Sequence, residues 1–364
     1  MEESKNIFDL SFEELSQLLR TWNEPDYRAG QIWEGLYRQL WSSPDEFTSL
    51  PKTLRQKFVE LFSRGRTSIT DQSSLLTLQP IKKLESSDGE TIKTLFSISG
   101  DRQIEAVLMR YAKRRTLCIS TQAGCAMGCV FCATGQMGFK RQLTSGEIVE
   151  QVLYYSRQRS SQDEQVTNIV VMGMGEPFHN YEATMAAIHR LNDPRGFNLG
   201  ARRFTISTVG LVPGIRRFTQ EHSQVNLAIS LHAADNELRS QLLPINNKYP
   251  LEDLFSACQE YIQITHRRLS FEWALIQGVN DSADQAHQLA QRLKPFRIGG
   301  AVLCHVNVIP LNPTRKYGGH ASTHEKALAF QAVLEQSGIP CTIRLRRGID
   351  IQAGCGQLAG QNIL

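Results

Sequence analysis

Thr116-Leu-Cys118-Ile-Ser120, separated by four residues from Cys125-Ala-Met-Gly-Cys129-Val-Phe-Cys132, decides how the chain is to be read. The first segment is apolar and strand-like. The second is a C-x3-C-x2-C run in a glycine-bearing loop. A strand that runs straight into a ligand-bearing loop is how α/β proteins present a site at the carboxyl ends of their sheet. A closed iron-sulfur or zinc site takes four protein ligands, so three thiolates leave one metal position open for chemistry. An isolated cysteine is usually a small buried hydrophobe, but this triple spacing favours a metal over packing.

Downstream, the chain repeats the same rhythm. Apolar strand segments are expected at 116–120, 168–172, 203–208, 226–231, 269–276 and 302–309, with amphipathic helices between them. Thr144-Ser-Gly-Glu147 opens one helix as a capping box, and Gly338 with Pro340 stops another. Such alternation implies parallel strands with right-handed crossovers. Six units are fewer than a closed eight-stranded barrel needs. The expected fold is α/β: an open, partial parallel β/α barrel of about six units, with a doubly wound sheet as the alternative. Polar residues gather at the carboxyl ends of these strands. Gly175 and Glu176 follow the second strand, Ser207 closes the third, Ser230, Leu231 and His232 close the fourth, and Asn312 follows the sixth. Each alone reads as a turn or structural residue; on one rim they converge as a small polar ligand requires.

Upstream, residues 1–75 read as a small helical accessory domain. Ser11-Phe-Glu-Glu14 is a capping box, and Pro25 and Pro51 precede two further helices. It serves packing or, through Arg28, Arg38, Lys52, Arg55 and Lys57, RNA docking. Residues 76–110 alternate with period two around Asp88-Gly89, a β-hairpin extension. There Glu105 shares a face with Val107 and Met109, either an exposed edge residue or a buried general acid/base. Residues 111–340 form the barrel core. Residues 341–364 are a C-terminal strand and loop in which Cys355 lies between two glycines, a setting for a mobile, accessible thiol. Cys258 and Cys304 read as buried packing residues.

Composition bounds the partners. The 364 residues are 41% hydrophobic and 21% charged, as in ordinary globular proteins. The 40 basic residues outnumber the 36 acidic ones by only four, so a nucleic-acid footprint must be local. The polar start and the lack of an ~18-residue apolar run argue against export and membrane insertion. Eight cysteines, three of them in one loop, fit a reducing cytoplasm better than a secreted disulfide framework.

Over nearly its whole length the sequence resembles the RlmN/Cfr family of radical-SAM RNA methyltransferases. The carrying stretches are those quoted at the outset, together with Met172-Gly-Met-Gly-Glu-Pro177, Ile206-Ser-Thr-Val-Gly210, Ser230-Leu-His232, Gly278-Val-Asn-Asp281 and Cys355-Gly-Gln-Leu358. The resemblance implies that Cys125, Cys129 and Cys132 hold a 4Fe-4S cluster whose open iron binds S-adenosylmethionine. It implies that Gly175, Glu176, Ser207, Ser230, Leu231, His232 and Asn312 hold that cofactor. An adenine ring carbon is not nucleophilic, so direct displacement on the SAM methyl fails. In the family's route Cys355 first takes a methyl group from one SAM. The radical from a second SAM then activates that S-methyl group for addition to the base. Glu105 or Cys118 removes the ring proton, and Cys118 forms a disulfide with Cys355 to release the product. The implied substrate is an adenosine of 23S ribosomal RNA, with tRNA as a further candidate, served by a low-potential electron donor and acted on by a monomer.

Pro177, Ala233, Pro310 and Arg347-Gly348 look RlmN-like, implying methylation at C2. The stretches 23–28 and 244–250, and Gly348-Ile-Asp-Ile351, look Cfr-like, which leaves C8 as the alternative. Gln142 and Ala353-Gly354 depart from the family pattern without removing a reacting atom. The local basic runs at 113–115, 140–141, 202–203, 216–217, 267–268 and 344–347 suit RNA. A zinc-stabilised RNA-binding protein and a four-ligand electron carrier are the readings from other classes.

Overall fold

The computed structural model describes residues 6–62, 74–158 and 165–360. The polar start at 1–5, residues 63–73 beside the boundary expected at 75, and the last four residues of the C-terminal segment lie outside the described residues.

Three helices open the chain: α1 (Phe12–Thr21), α2 (Tyr27–Tyr37) and α3 (Lys52–Phe62). The predicted capping box starts α1, with the Glu14 amide donating to Ser11 Oγ and the Ser11 amide to the Glu14 carboxylate. Then come strands β1 (Gln79–Glu85), β2 (Thr91–Ile98), β3 (Arg102–Tyr111) and β4 (Arg114–Cys118), all antiparallel neighbours. A short ribbon of β5 (Gln122–Gly124) and β6 (Phe139–Gln142) brackets the cysteine loop, which carries the one-turn helix α4 (Ala133–Gln136). Sequence periodicity did not reveal this ribbon, because its strands are three and four residues long.

The alternating region follows: α5 (Ser145–Arg157), β7 (Asn168–Val171), α6 (Tyr181–Asn192), β8 (Phe204–Thr208), α7 (Val212–Gln220), β9 (Asn226–Ser230), α8 (Asn236–Leu242), α9 (Leu251–Thr265), β10 (Leu269–Leu275), α10 (Ala283–Leu293), a hairpin of β11 (Arg297–Ile298) and β12 (Ala301–Val302), β13 (Cys304–Pro310), α11 (His324–Gln336) and β14 (Cys341–Ile343). The principal sheet has ten strands in the order β1-β2-β3-β4-β7-β8-β9-β10-β13-β14. From β4 to β14 every pairing is parallel.

The structure therefore has the expected open α/β barrel, with no closed ring among the described residues. Two details differ from the sequence reading. The hairpin continues the barrel sheet as its antiparallel edge. Val302 belongs to the small hairpin, and the sixth barrel strand starts only at Cys304.

One contiguous apolar core joins the helical segment to the barrel helices. The seam is also polar. Asp9 accepts from Ser145 Oγ and the Gly146 amide at the start of α5, and buried Glu150 accepts from Asn6, Thr77 and the Leu78 amide. Among the described residues no helix is long and apolar enough to cross a membrane.

Candidate active site

The cysteine loop leaves β5 through Gly124, whose φ of +73° and close approach to the Gly138 carbonyl leave no room for a side chain. From there Cys125, Cys129 and Cys132 are mutual neighbours. Desolvation pushes the Cys129 thiol well above the usual range, and Cys132, Cys125 and Glu176 add to the shift, while Arg239 opposes it. Cys125 is pushed up to about 12, chiefly by burial. Thiols raised like those of Cys125 and Cys129 ionise readily only beside a cationic centre, so the loop suits a bound metal cluster. Among the described residues no three His, Cys, Asp or Glu side chains converge on a single ion. A cubane cluster, with a separate iron for each thiolate, does not require such convergence.

The strand-end residues sit on this side of the sheet. Gly175 has φ +105°, and a Cβ there would strike Gln122. Glu176 is buried and pushed up to about 7 by desolvation, against hydrogen bonds from the Val209 and Phe178 amides. Its carboxyl group thus ties the loop after β7 to the loop after β8. Ser207 and Ser230 place their hydroxyls 3.2 Å apart on adjacent strands. Leu231 is fully buried and offers only its backbone, its amide donating to Glu272 and its carbonyl accepting from Arg239. His232 has a left-handed backbone, accepts from the Ala274 amide through Nδ1 and meets the Phe131 ring edge-on. Burial, with Arg239 adding, lowers its pKa to about 3, so the ring stays neutral.

A cavity of about 750 Å³ fills the barrel lumen and joins three of the cysteines singled out by the sequence: Cys118, Cys132 and Cys355 all line it, with Asn312 beside them. Asn312 Nδ2 donates to the Cys355 carbonyl, and the Ala133 amide donates to the Gly356 carbonyl, which seats the Cys355 loop on the cysteine loop. Cys355 opens onto the cavity, yet desolvation pushes its thiol up to about 11, with Glu272 and Cys132 adding and Arg344 opposing. Burial likewise raises Cys118 far above its usual range, and the proximity of Cys355 adds to the shift. Both are free thiols, so the expected disulfide is no structural bond of this fold.

Glu105 is buried, as one of the two sequence readings had it, but it does not line this cavity. Oε1 pairs with Lys93 at 2.9 Å, and Oε2 accepts from the Ala359 and Gly360 amides. Lys93 also donates to the Gln352 carbonyl. The pair grips the Cys355 loop at both ends.

Three further residues escaped the sequence reading. Arg239, fully buried, bridges the Val209 and Leu231 carbonyls and Asn246 behind the cysteine loop. Glu272 and Asn307 face each other across β10 and β13 inside the lumen. Their signal was available: an acidic residue inside an otherwise buried strand run. The far mouth of the cavity is basic, with Arg114, Arg202, Arg203, Arg267 and Arg268 at the amino ends of the strands and Arg344, Arg346 and Arg347 on the segment crossing it.

Two family models match the chain: the radical SAM superfamily over residues 119–290 and the ribosomal RNA large subunit methyltransferase N-terminal domain over 5–63. A probable dual-specificity RNA methyltransferase RlmN of Chloroflexus aurantiacus is 46% identical, covering 99% of this chain and 94% of its own. The dual-specificity RNA methyltransferase RlmN 1 of Myxococcus xanthus is also 46% identical, covering 98% and 94%. The crystal structure of a radical SAM methyltransferase from Sphaerobacter thermophilus superposes with a TM-score of 0.91 at 46% identity, covering 98% of this chain and 99% of that one.

Proposed function

The chain belongs to the RlmN family of radical SAM RNA methyltransferases, enzymes that use a 4Fe-4S cluster and S-adenosylmethionine, and from that premise we propose that it methylates C2 of an adenosine in 23S ribosomal RNA, and in tRNA, through an S-methyl group on Cys355. The observation that carries this reading is the shared lumen: Cys355, Cys118 and the cluster-loop Cys132 open onto one cavity whose other mouth is ringed by arginines.

In this reading Cys125, Cys129 and Cys132 hold the cluster. Gly175, Glu176, Ser207, the 230–232 segment and Asn312 hold SAM. The bound cofactors supply the methyl group and the radical. Neutral His232 and Glu176, each tied to backbone amides, set the shape of that site and stay fixed through turnover. The Cys355 thiol, open to the cavity, must lose its proton to accept a methyl group, and the nearby Arg344 favours that loss. Cys118, facing the same cavity, is placed to meet Cys355 in a disulfide that frees the product. The ring proton goes to Cys118 or Glu105, and the cavity lining favours Cys118. RNA enters by the arginine mouth with its target base unstacked, because a base within a duplex cannot reach a lumen this enclosed. The enzyme acts in the cytoplasm as a monomer supplied by a low-potential electron donor. The zinc-protein and electron-carrier readings give way to the family match.

Mass spectrometry of ribosomal and transfer RNA from cells lacking and overproducing the protein tests the assignment. 2-Methyladenosine that disappears with the gene is the expected result. 8-Methyladenosine would move the chemistry to the Cfr-type carbon, and no change in either would remove the RNA substrate.

A further inference from the structure

Arg239 on α8 is a buried cation that no carboxylate neutralises. It is fully buried, and its guanidinium donates to the Val209 carbonyl at 2.7 Å, the Leu231 carbonyl at 3.2 Å and Asn246 Oδ1 at 2.9 Å. Each of these acceptors is neutral. Among the described residues it forms no ion pair with an Asp or Glu. Such hydrogen bonds satisfy its N–H groups but leave its charge uncompensated, and a buried charge is costly unless an anion lies near it.

The cysteine loop packs against this helix. The Val130 amide donates to the Leu242 carbonyl at the end of α8. Phe131 packs with Val209, Leu242 and Leu243, and Cys129 and Cys132 border the same apolar cluster. Charges interact more strongly across such packing than across water. Burial lowers the Arg239 pKa to about 10 and Cys129 opposes the shift, so the guanidinium stays protonated with that sulfur in electrostatic reach.

We propose that Arg239 is the counter-charge of the iron-sulfur cluster, a buried cation that stabilises its reduced state and so raises its reduction potential. The inference rests on the assignment of the cluster to Cys125, Cys129 and Cys132 above. Three thiolates outweigh the positive charge of an oxidised cubane core, so the loaded loop is anionic. One electron from the low-potential donor makes it more so, and a fixed cation nearby favours the reduced form most. Net charge is one of the features by which a protein tunes such a potential. A carboxylate beside Arg239 would cancel the effect, and the neutral acceptors around it avoid that.

The test is an EPR-monitored potentiometric titration of the full chain with its cluster reconstituted, without SAM or RNA. Arg239→Gln removes the charge. Asn246→Asp leaves the arginine in place and gives it a carboxylate where it now has an amide. Arg239→Gln should shift the midpoint to more negative potential by about tenfold in the reduction equilibrium, which is ~59 mV for one electron. Asn246→Asp should shift it the same way, and Arg239→Lys, which keeps the charge, should stay near wild type.

A midpoint that is unmoved in Arg239→Gln, or that moves as far in Arg239→Lys, overturns the counter-charge and leaves the cluster assignment intact. Should Arg239→Gln lose its iron, Asn246→Asp decides, and an unmoved midpoint there overturns the proposal equally. Iron kept by Arg239→Lys alone is the charge dependence in its extreme form, whereas iron lost from Arg239→Lys as well makes Arg239 a scaffold of the loop and sinks the idea. Failure of the cluster assignment shows elsewhere, as iron-sulfur absorbance that persists when Cys125, Cys129 or Cys132 is replaced by Ala.

Discussion

His232 illustrates how little of a residue's role its identity conveys. A histidine at a strand end invites a reading as ligand or acid/base, yet its ring accepts a backbone amide, packs on Phe131 and is held neutral with a pKa of about 3. Its folded pKa lies below its unfolded value near 6.5, so its contribution to stability is present above pH 6.5 and fades as pH falls toward 3. Denaturation midpoints from pH 7 to 4 should therefore fall less steeply in His232→Gln than in wild type; parallel slopes would show that the ring titrates normally. The cysteines divide by a different experiment. Cys355→Ala and Cys118→Ala should each keep the iron content and visible absorbance of wild type while methylating no RNA. Loss of the cluster in either variant would make that cysteine a ligand and remove the thiol-transfer role. The spacing of Cys125, Cys129 and Cys132 was legible because all three lie in one loop. The Glu105–Lys93 pair was not, since it depends on the pairing of β2 with β3 and on a C-terminal loop some 250 residues away.

At the level of elements, sequence periodicity located all six expected barrel strands to within two residues, because each is an apolar run between helices with clear caps. It missed what has no period: the β5–β6 ribbon around the cysteine loop, and the departure of the chain from the sheet after Ile343. The run at 341–347 reads as one strand, but three arginines cannot be buried beside β13, so only Cys341–Ile343 pairs and the rest crosses the lumen. The segments flanking the N-terminal helices dock on α5 through polar contacts as well as apolar ones. Glu150 accepts four hydrogen bonds there, from Asn6 Nδ2, Thr77 Oγ1 and the Thr77 and Leu78 amides, while burial alone would expel its charge. Glu150→Ala leaves these donors unsatisfied and should cost about 2–4 kcal/mol. Urea unfolding would read the loss directly. A change under 0.5 kcal/mol, taken as roughly the scale of a surface substitution, would show that the seam is held by its apolar face alone.

Across the whole molecule, charge is nearly balanced, yet its distribution is not. The net +4 hides a ring in which Arg203, Arg268, Arg344 and Arg346 are exposed at one mouth of the lumen and in no ion pair among the described residues. Elsewhere arginines are neutralised in place, as Arg141 is by Glu147 and Arg195 by Asp193. Unpaired cations around a cavity large enough for a nucleotide are the electrostatic footprint of a polyanion. Composition could not reveal this, because only the parallel sheet brings positions 203, 268 and 344 together. The footprint has a measurable slope. Each phosphate contact on a single strand changes the logarithm of affinity by about 0.7 per decade of salt. Replacing Arg203, Arg268 and Arg346 by Ala should thus flatten the salt dependence of RNA binding by roughly 2 and weaken binding at low salt, with little change in thermal stability. An unchanged slope would mean that RNA reaches Cys355 by another face, and the route through the amino ends of the strands would have to be abandoned.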